Sequence, residues 1–380
     1  ADAYDPRPIA VEGKKGATIG MAMTEKQGGS DLRAVQTRAG RSGDTWRLDG
    51  HKWFCSAPMS DAFFTLARLP EGVTCFFVPR TLDDGTRNAI RLQRLKDKCG
   101  NRSNASSEIE YEGAEATLVG EPGRGIATLI EMAHHTRFDI VVAIAGMMRS
   151  GLHQAIHHAR HRSAFGKVLA SQPLMANVLA DLALESEAAT LLAFRLARAF
   201  DASVSDARER DLQRILTPIA KYWLCKRMPP FAVEAMECLG GNGYVEEAPL
   251  ARLYREAPLN GIWEGSANVI CLDVLRAAAR APESLAALKA DVLATGDERI
   301  ARRWAEVERV LADAANAEAQ ARAAVEALAV CTQASLMLRF SGSGAAQAFC
   351  ASRLDGTSRS FGTLPAGTPA GTLAERALPG

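Results

Sequence analysis

Four short segments carry side chains whose types and spacing suit chemistry. Gly20-Met21-Ala22-Met23-Thr24-Glu25-Lys26-Gln27-Gly28-Gly29-Ser30-Asp31 sets a glycine pair between two hydroxyl-bearing residues, Thr24 and Ser30. Exposed backbone N–H groups and hydroxyls of this kind suit a planar heteroaromatic ring or a phosphate. A strand end with a tight turn is the plain structural alternative. Arg162-Ser163-Ala164-Phe165-Gly166-Lys167 places a forked donor and an aromatic ring beside a glycine. Leu239-Gly240-Gly241-Asn242-Gly243-Tyr244 allows close approach to the backbone. Ile262-Trp263-Glu264-Gly265-Ser266-Ala267-Asn268 holds one carboxylate between an indole and a glycine, which makes Glu264 a candidate base near neutral pH. Capping a helix that starts near Ser266 is the structural alternative for that acid.

Some common cofactor motifs are absent. There is no G-x-x-x-x-G-K-[ST] and no G-x-G-x-x-G between a strand and a helix, so nucleotide chemistry here needs another architecture. His153, His157 and His161 fall at i, i+4 and i+8, with His158 beside them. Three imidazoles on one face are ligand-spaced, but no cysteine or acid accompanies them, so they read as a solvated or interface face and no metal is expected. His134-His135 reads the same way.

Two kinds of structure must position these segments. Residues 18 to about 118 look β-rich: Trp46-Arg47-Leu48-Asp49 alternates apolar and polar, and Gly50 reads as a turn into Trp53-Phe54-Cys55. Thr74-Cys75-Phe76-Phe77-Val78 reads as a buried strand stopped by Pro79, and Glu108-Ile109-Glu110-Tyr111 alternates again. The breaker cluster Gly120-Glu121-Pro122-Gly123-Arg124-Gly125 marks a boundary. From Ile126 the signal is helical. Leu179, Leu182, Ser186, Ala189, Leu192, Leu196 and Ala199 draw one stripe, while Pro173, Pro218, Pro229-Pro230 and the Gly240–Gly243 cluster cut the region into several helices. The expected organisation is a β domain over 1–120, a helical domain over 121–280, and a helical extension over 281–380 with a frayed tail from Asp355.

The order of signatures now carries a resemblance. T-E-x-x-x-G-S-D, G-x-K-x-x-x-S, R-x-x-F-G, L-G-G-x-G and E-G-[ST] follow one another as in the acyl-CoA dehydrogenase flavoprotein family. "GHKWFCS", "RLKDKCGNRSNAS" and "LYREAPLNGIWEGSANVICLDVLR" resemble its AidB-like, alkylation-response branch, over about Tyr4 to Arg276. The resemblance implies an α+β fold: a β-barrel or sandwich middle domain followed by an α-helical bundle, with the family's N-terminal helical domain missing ahead of Thr24. It implies non-covalent FAD in a homo-oligomer, a dimer of dimers, and an acyl-CoA or related thioester as substrate. Met21, Met23, Thr24 and Ser30 match the isoalloxazine and thioester side, and Phe54, Cys55 and Ser56 the flavin's flank. Arg162 and Phe165 match residues reaching a neighbouring subunit's FAD, and Gly240-Gly241 the backbone that receives its adenosine end. Glu264 matches the base that takes the α-proton while the β-hydride passes to flavin, leaving a trans-2-enoyl thioester. Arg137 and Asn268 match substrate-pocket positions. Three departures stand out: Lys26 replaces a usual proline, Glu237 a usual glutamine, and Gln172 lies one residue short of the expected glutamine. The branch also implies a second reading, a protective protein that binds double-stranded DNA with little turnover.

Composition sets the frame. The 380 residues carry 45 Lys+Arg against 44 Asp+Glu, a net charge of +1, so no global charge favours nucleic acid or anionic lipid. Residues 281–380 hold ten basic and eleven acidic side chains, a net of −1, although Arg299, Arg302, Arg303 and Arg309 are spaced to share a helix face. Apolar residues at 47% and charged residues at 23% exclude collagen, disulfide mini-proteins and wholly disordered chains. Eight cysteines without a C-x-x-C pair read as reduced, buried thiols. Without a signal peptide or an 18-residue apolar run, a cytoplasmic protein with no membrane span is expected. A first residue that is Ala1, not methionine, reads as a start inside a longer protein.

Overall fold

The computed structural model describes residues 3–356 and 360–378. Two compact units emerge, Ala1–His134 and His135–Gly380.

The first unit is a β structure. Its strands are β1 (Ile19–Ala22), β2 (Arg38–Ser42), β3 (Thr45–Ser56), β4 (Ala62–Leu69), β5 (Gly72–Pro79), β6 (Ile90–Leu95) and β7 (Ser106–Val119). A ring closes through β4, β2, β3, β7 and β5 back to β4, with β1 added beside β4 and β6 beside β7. Period-two alternation fills its interior with Leu48, Cys55, Phe63, Phe76, Val78, Ile109, Tyr111 and Ala114. The expected barrel is therefore present. Gly50 corrects the sequence reading: β3 runs straight through it. Its φ of +147° and the Thr37 Cα only 2.7 Å from where a Cβ would sit explain the glycine as a close-approach site within a strand.

Helix α1 (Gly125–His161) follows the breaker cluster, and the division between the units falls within it. A two-residue hairpin pairs β8 (Ser163–Ala164) with β9 (Lys167–Val168). Then come α2 (Pro173–Ala202), α3 (Ala207–Glu237), α4 (Pro249–Glu256), α5 (Ala267–Arg280), α6 (Pro282–Val292), α7 (Glu298–Ala312), α8 (Ala317–Phe340), α9 (Ser343–Arg353) and α10 (Ala370–Arg376). Every member of the stripe from Leu179 to Ala199 is buried, and Pro173 opens α2 at its first turn as proline geometry favours.

The internal prolines do not break the bundle. Helix α3 continues through Pro218, Pro229 and Pro230. Each costs about 3 kcal/mol in a helix interior. Burial of Leu212, Ile215, Leu216, Ile219, Met228 and Phe231 on either side outweighs that, at about 1.5–3 kcal/mol per large apolar side chain. The tail is likewise more ordered than its composition suggests among the described residues. Phe361, Leu364, Leu373 and Ala374 are buried. The Gly362 amide donates to Asp181 Oδ2 at 2.9 Å, Leu364 exchanges backbone hydrogen bonds with the Asn177 side chain, and Arg227 covers the Phe361 ring. Helix α2 thus supplies polar anchors that a composition count does not see. Helix α8 is long and apolar enough to cross a membrane by length and composition, but 72% of its apolar window is buried inside the molecule. Seven of the eight cysteines are buried and free, while Cys99 is free and exposed.

Candidate active site

In the helical unit, the Trp263–Gly265 peptide stretch adopts a backbone that side chains rarely take. Glu264 has φ +56° and Gly265 φ +103°, both in the left-handed region. That conformation suits glycine and is uncommon for glutamate. A Cβ at Gly265 would sit 2.9 Å from Ile270 Cδ1, so this glycine is required twice over.

Cations and hydroxyls hold the stretch. Lys221 of α3, 1% exposed, donates through Nζ to Trp263 O at 2.9 Å and to Gly265 O at 2.5 Å. Arg137 of α1 donates through Nε to Glu264 O at 3.0 Å and through NH1 to Asp273 Oδ2 at 2.8 Å. Arg214 of α3 holds the other Asp273 oxygen at 2.8 Å. Burial pushes the Lys221 ammonium below the ordinary lysine range, and the nearby Arg137 charge adds to that. Asp273 is held below the usual carboxylate range: burial acts the other way, but the Arg214 and Arg137 guanidiniums prevail. The Thr136 hydroxyl donates to Glu264 Oε2 at 2.8 Å, fixing the carboxylate itself. The Trp263 indole N–H donates to Asn260 Oδ1, which ties down the preceding residue.

The other residues of this unit are placed as follows. Asn268, on the exposed side of α5, accepts from Arg322 Nε at 2.8 Å. Arg162 immediately precedes β8, its carbonyl accepting from Leu169 N at 2.8 Å, and Phe165 lies in the β8–β9 turn, where Phe165 at φ +54° and Gly166 at φ +77° are both left-handed. That turn leaves Phe165 97% exposed. Gln172 donates to Ala164 O at 2.9 Å and so braces the hairpin. Gly240 and Gly241 follow α3; a Cβ on either would meet nothing within 4 Å, whereas one on Gly243 would collide with Met236 O. The third glycine serves packing, and the first two leave open backbone. His153, His157 and His161 line an exposed side of α1. On α7, Arg299 pairs with Asp297, Arg302 with Asp355 and Arg303 with Glu306, so the expected basic face is interleaved with acids.

In the β unit, Met21 lies in β1, where Ala22 points into the core, and Met23 and Thr24 follow. The Trp53 amide donates to Thr24 O at 2.7 Å, which sets Thr24 beside the end of β3 that carries Phe54 and Ser56. Phe54 is 45% exposed; Cys55, on the opposite face, is fully buried, and burial pushes its thiol up to about 12. Ser30 sits on the exposed turn.

Sequence reasoning missed what holds that turn. Glu25 and Lys52 form a fully buried ion pair at 2.7 Å. Glu25 also accepts from Gln36 N, Thr37 N, Thr37 Oγ1 and Gln27 Nε2, while Lys52 donates to Leu66 O as well. The signal was available, because the pair consists of the E of T-E-x-x-x-G-S-D and the K of G-x-K-x-x-x-S.

The family model for the acyl-CoA dehydrogenase middle domain matches residues 20–114, and that for the acyl-CoA dehydrogenase C-terminal domain residues 123–279. The chain belongs to the acyl-CoA dehydrogenase family, whose members are FAD-dependent flavoproteins. Within it the chain is AidB-like: it is 54% identical over 277 residues to the putative acyl-CoA dehydrogenase AidB of Escherichia coli, covering 73% of this chain and 51% of that protein. Acyl-CoA dehydrogenase family member 11 of Caenorhabditis elegans is 36% identical over 281 residues, covering 69% of this chain and 45% of that protein. The chain thus spans about half the length of these curated relatives. The crystal structure of C. elegans ACDH-11 in complex with C11-CoA superposes with a TM-score of 0.79 at 30% identity, covering 96% of this chain and 64% of that one.

Proposed function

We propose that this protein dehydrogenates an acyl-CoA or related thioester across Cα–Cβ, with Glu264 as the acceptor of the α-proton. The observation that carries this is the held Glu264 loop: a carboxylate on left-handed backbone, oriented by Thr136. Such strain persists only where its surroundings enforce it, and it concentrates at functional positions. A thioester carbonyl acidifies the adjacent C–H, so an oriented carboxylate can take the α-proton as the β-hydride departs. Thr136 holds Oε2 and so orients the carboxylate that would take the proton.

The chain's residues fit FAD. Gly240 and Gly241 present backbone that a Cβ would not obstruct from within the chain, which suits close approach of a nucleotide. Phe165 is held outward at a conformational cost with no return from its own chain, which suits a ring contact in a neighbouring subunit of a dimer of dimers. Thr24, Ser30, Phe54 and Ser56, beside Met21 and Met23, would flank the isoalloxazine. When bound, FAD supplies the hydride acceptor. Double-stranded DNA binding gains no support from the acid-interleaved face of α7.

Two expected outcomes test this reading on the full-length protein. Denaturation should release FAD, identified by mass spectrometry, and anaerobic acyl-CoA should bleach the flavin absorption before denaturation. Release of NAD, or a flavin that stays oxidised with every short and branched acyl-CoA, would sink the proposal. Arg162→Ala should lower flavin occupancy and the melting temperature of the oligomer together, because a ligand bound only by the assembled state stabilises that state. Full occupancy in a clean monomer contradicts the shared-site reading.

A further inference from the structure

We propose that Lys221 is the positioning residue for Glu264: by donating to the carbonyls on both sides of it, Lys221 fixes the left-handed peptide that aims the carboxylate. The inference rests on the reading of Glu264 as the base and adds a residue whose ammonium donates to the loop's main-chain carbonyls.

The geometry separates Lys221 from an ordinary buried lysine. Its ammonium donates to two main-chain carbonyls, Trp263 O and Gly265 O, and these bracket the one glutamate with a positive φ among the described residues. Trp263 O belongs to the peptide before Glu264 and Gly265 O to the peptide after Gly265, so Nζ spans Glu264, and turning that residue back to right-handed backbone would move the two carbonyls relative to one another so that Nζ could not keep both. One side chain therefore registers the φ of the residue between its two partners. Arg137 holds the middle carbonyl, Glu264 O, and is itself fixed by Asp273. Three successive carbonyls thus point at two cations, and the Glu264 side chain is left to project from the other side toward Thr136.

The arrangement is built into rigid elements. Lys221 sits mid-helix in α3, flanked by fully buried Ile219, Ala220 and Leu224, so its root cannot shift. Gly265 leads directly into α5 through Ser266, and Ile270 of α5 closes the space a Cβ would need. A cation on one helix thereby sets the backbone at the mouth of another. Reacting groups displaced by about 1 Å can lose about 10²-fold in rate, so a holder of this kind matters for chemistry through the backbone alone.

The test measures α-proton removal directly. Full-length protein in D2O is mixed with a saturated acyl-CoA, and exchange of the α-hydrogen is followed by NMR, per folded molecule counted by circular dichroism. Glu264→Gln, Lys221→Met and Lys221→Gln are compared with wild type, with the melting temperature and the acyl-CoA Kd of each. The expected result is that Glu264→Gln abolishes exchange, Lys221→Met lowers it about 10²-fold and Lys221→Gln about tenfold, while the acyl-CoA Kd moves less than threefold. Lys221→Gln keeps an N–H donor for one carbonyl and decides the matter where Lys221→Met does not fold. Wild-type exchange in folded Lys221 variants, with only the melting temperature reduced, makes Lys221 merely structural and overturns the proposal while leaving Glu264 as base. Exchange that survives in Glu264→Gln removes the base reading and the positioning role with it.

Discussion

Glu264→Gln should leave a folded, flavin-containing protein whose rate of flavin reduction by acyl-CoA has fallen about 10²–10⁴-fold, the usual worth of one placed proton acceptor. The amide retains the shape of the carboxylate, and its oxygen still accepts from the Thr136 hydroxyl. Arg137 and Lys221 bind main-chain carbonyls of the loop, which the substitution does not alter. Backbone strain and packing are thus unchanged, and only proton affinity is lost. Helix capping predicts a different result. The N-cap of α5 is Ser266, and the Glu264 carboxylate is bonded to Thr136 of α1. A capping acid would cost about 0.5–2 kcal/mol of stability on removal and leave the rate intact. Stopped-flow flavin reduction and a thermal melt on the same preparation separate the two; a lowered melting temperature with wild-type reduction defeats the base assignment.

What could be read from the residues depended on the range of the interaction. The stripe from Leu179 to Ala199 was legible because helical burial repeats within one segment, and the alternation at Glu108–Tyr111 because a strand does the same with period two. Gly50 misled because one glycine signals either a turn or a strand that must let another chain close in; Thr37, thirteen positions earlier in a different segment, decides it. Pro218, Pro229 and Pro230 misled because local backbone chemistry argued for a break, while burial along both sides of α3 argued more strongly for continuation. At the candidate site, Glu264 was visible as a residue but not as a left-handed one. Its holders Lys221, Arg137 and Thr136 come from helices far away in sequence, so no local pattern joins them. The same holds for the tail, where Gly362 finds its acceptor on Asp181.

Breaking the Glu25–Lys52 pair should be the costliest single change in the β unit, and unequally so for its two members. Both side chains are fully buried at 2.7 Å. Removing one partner of such a pair typically costs about 3–5 kcal/mol, because the other charge stays in a low-dielectric site. Glu25 would keep donors from Gln27, Gln36 and Thr37 after Lys52→Met, whereas Lys52 would keep Leu66 O and lose the carboxylate after Glu25→Ala. Glu25→Ala should therefore destabilise more than Lys52→Met, and either change should loosen the turn carrying Thr24 and Ser30 and lower flavin retention. The pH dependence has a definite sign. Burial alone would raise the Glu25 carboxyl, but Lys52 and the hydrogen bonds hold it well below the usual carboxylate range. Burial pushes Lys52 down despite Glu25, so much of the pair's attraction only offsets desolvation. A carboxyl depressed in the folded state contributes stability that is fully present above its ordinary pKa and is lost as pH falls toward the folded value. The stability gap between wild type and Glu25→Ala should then narrow on acidification below the ordinary carboxylate range. Urea unfolding of both proteins across that range measures it; a gap that widens in acid would mean that Glu25 is protonated in the folded protein and that the buried pair is not ionic.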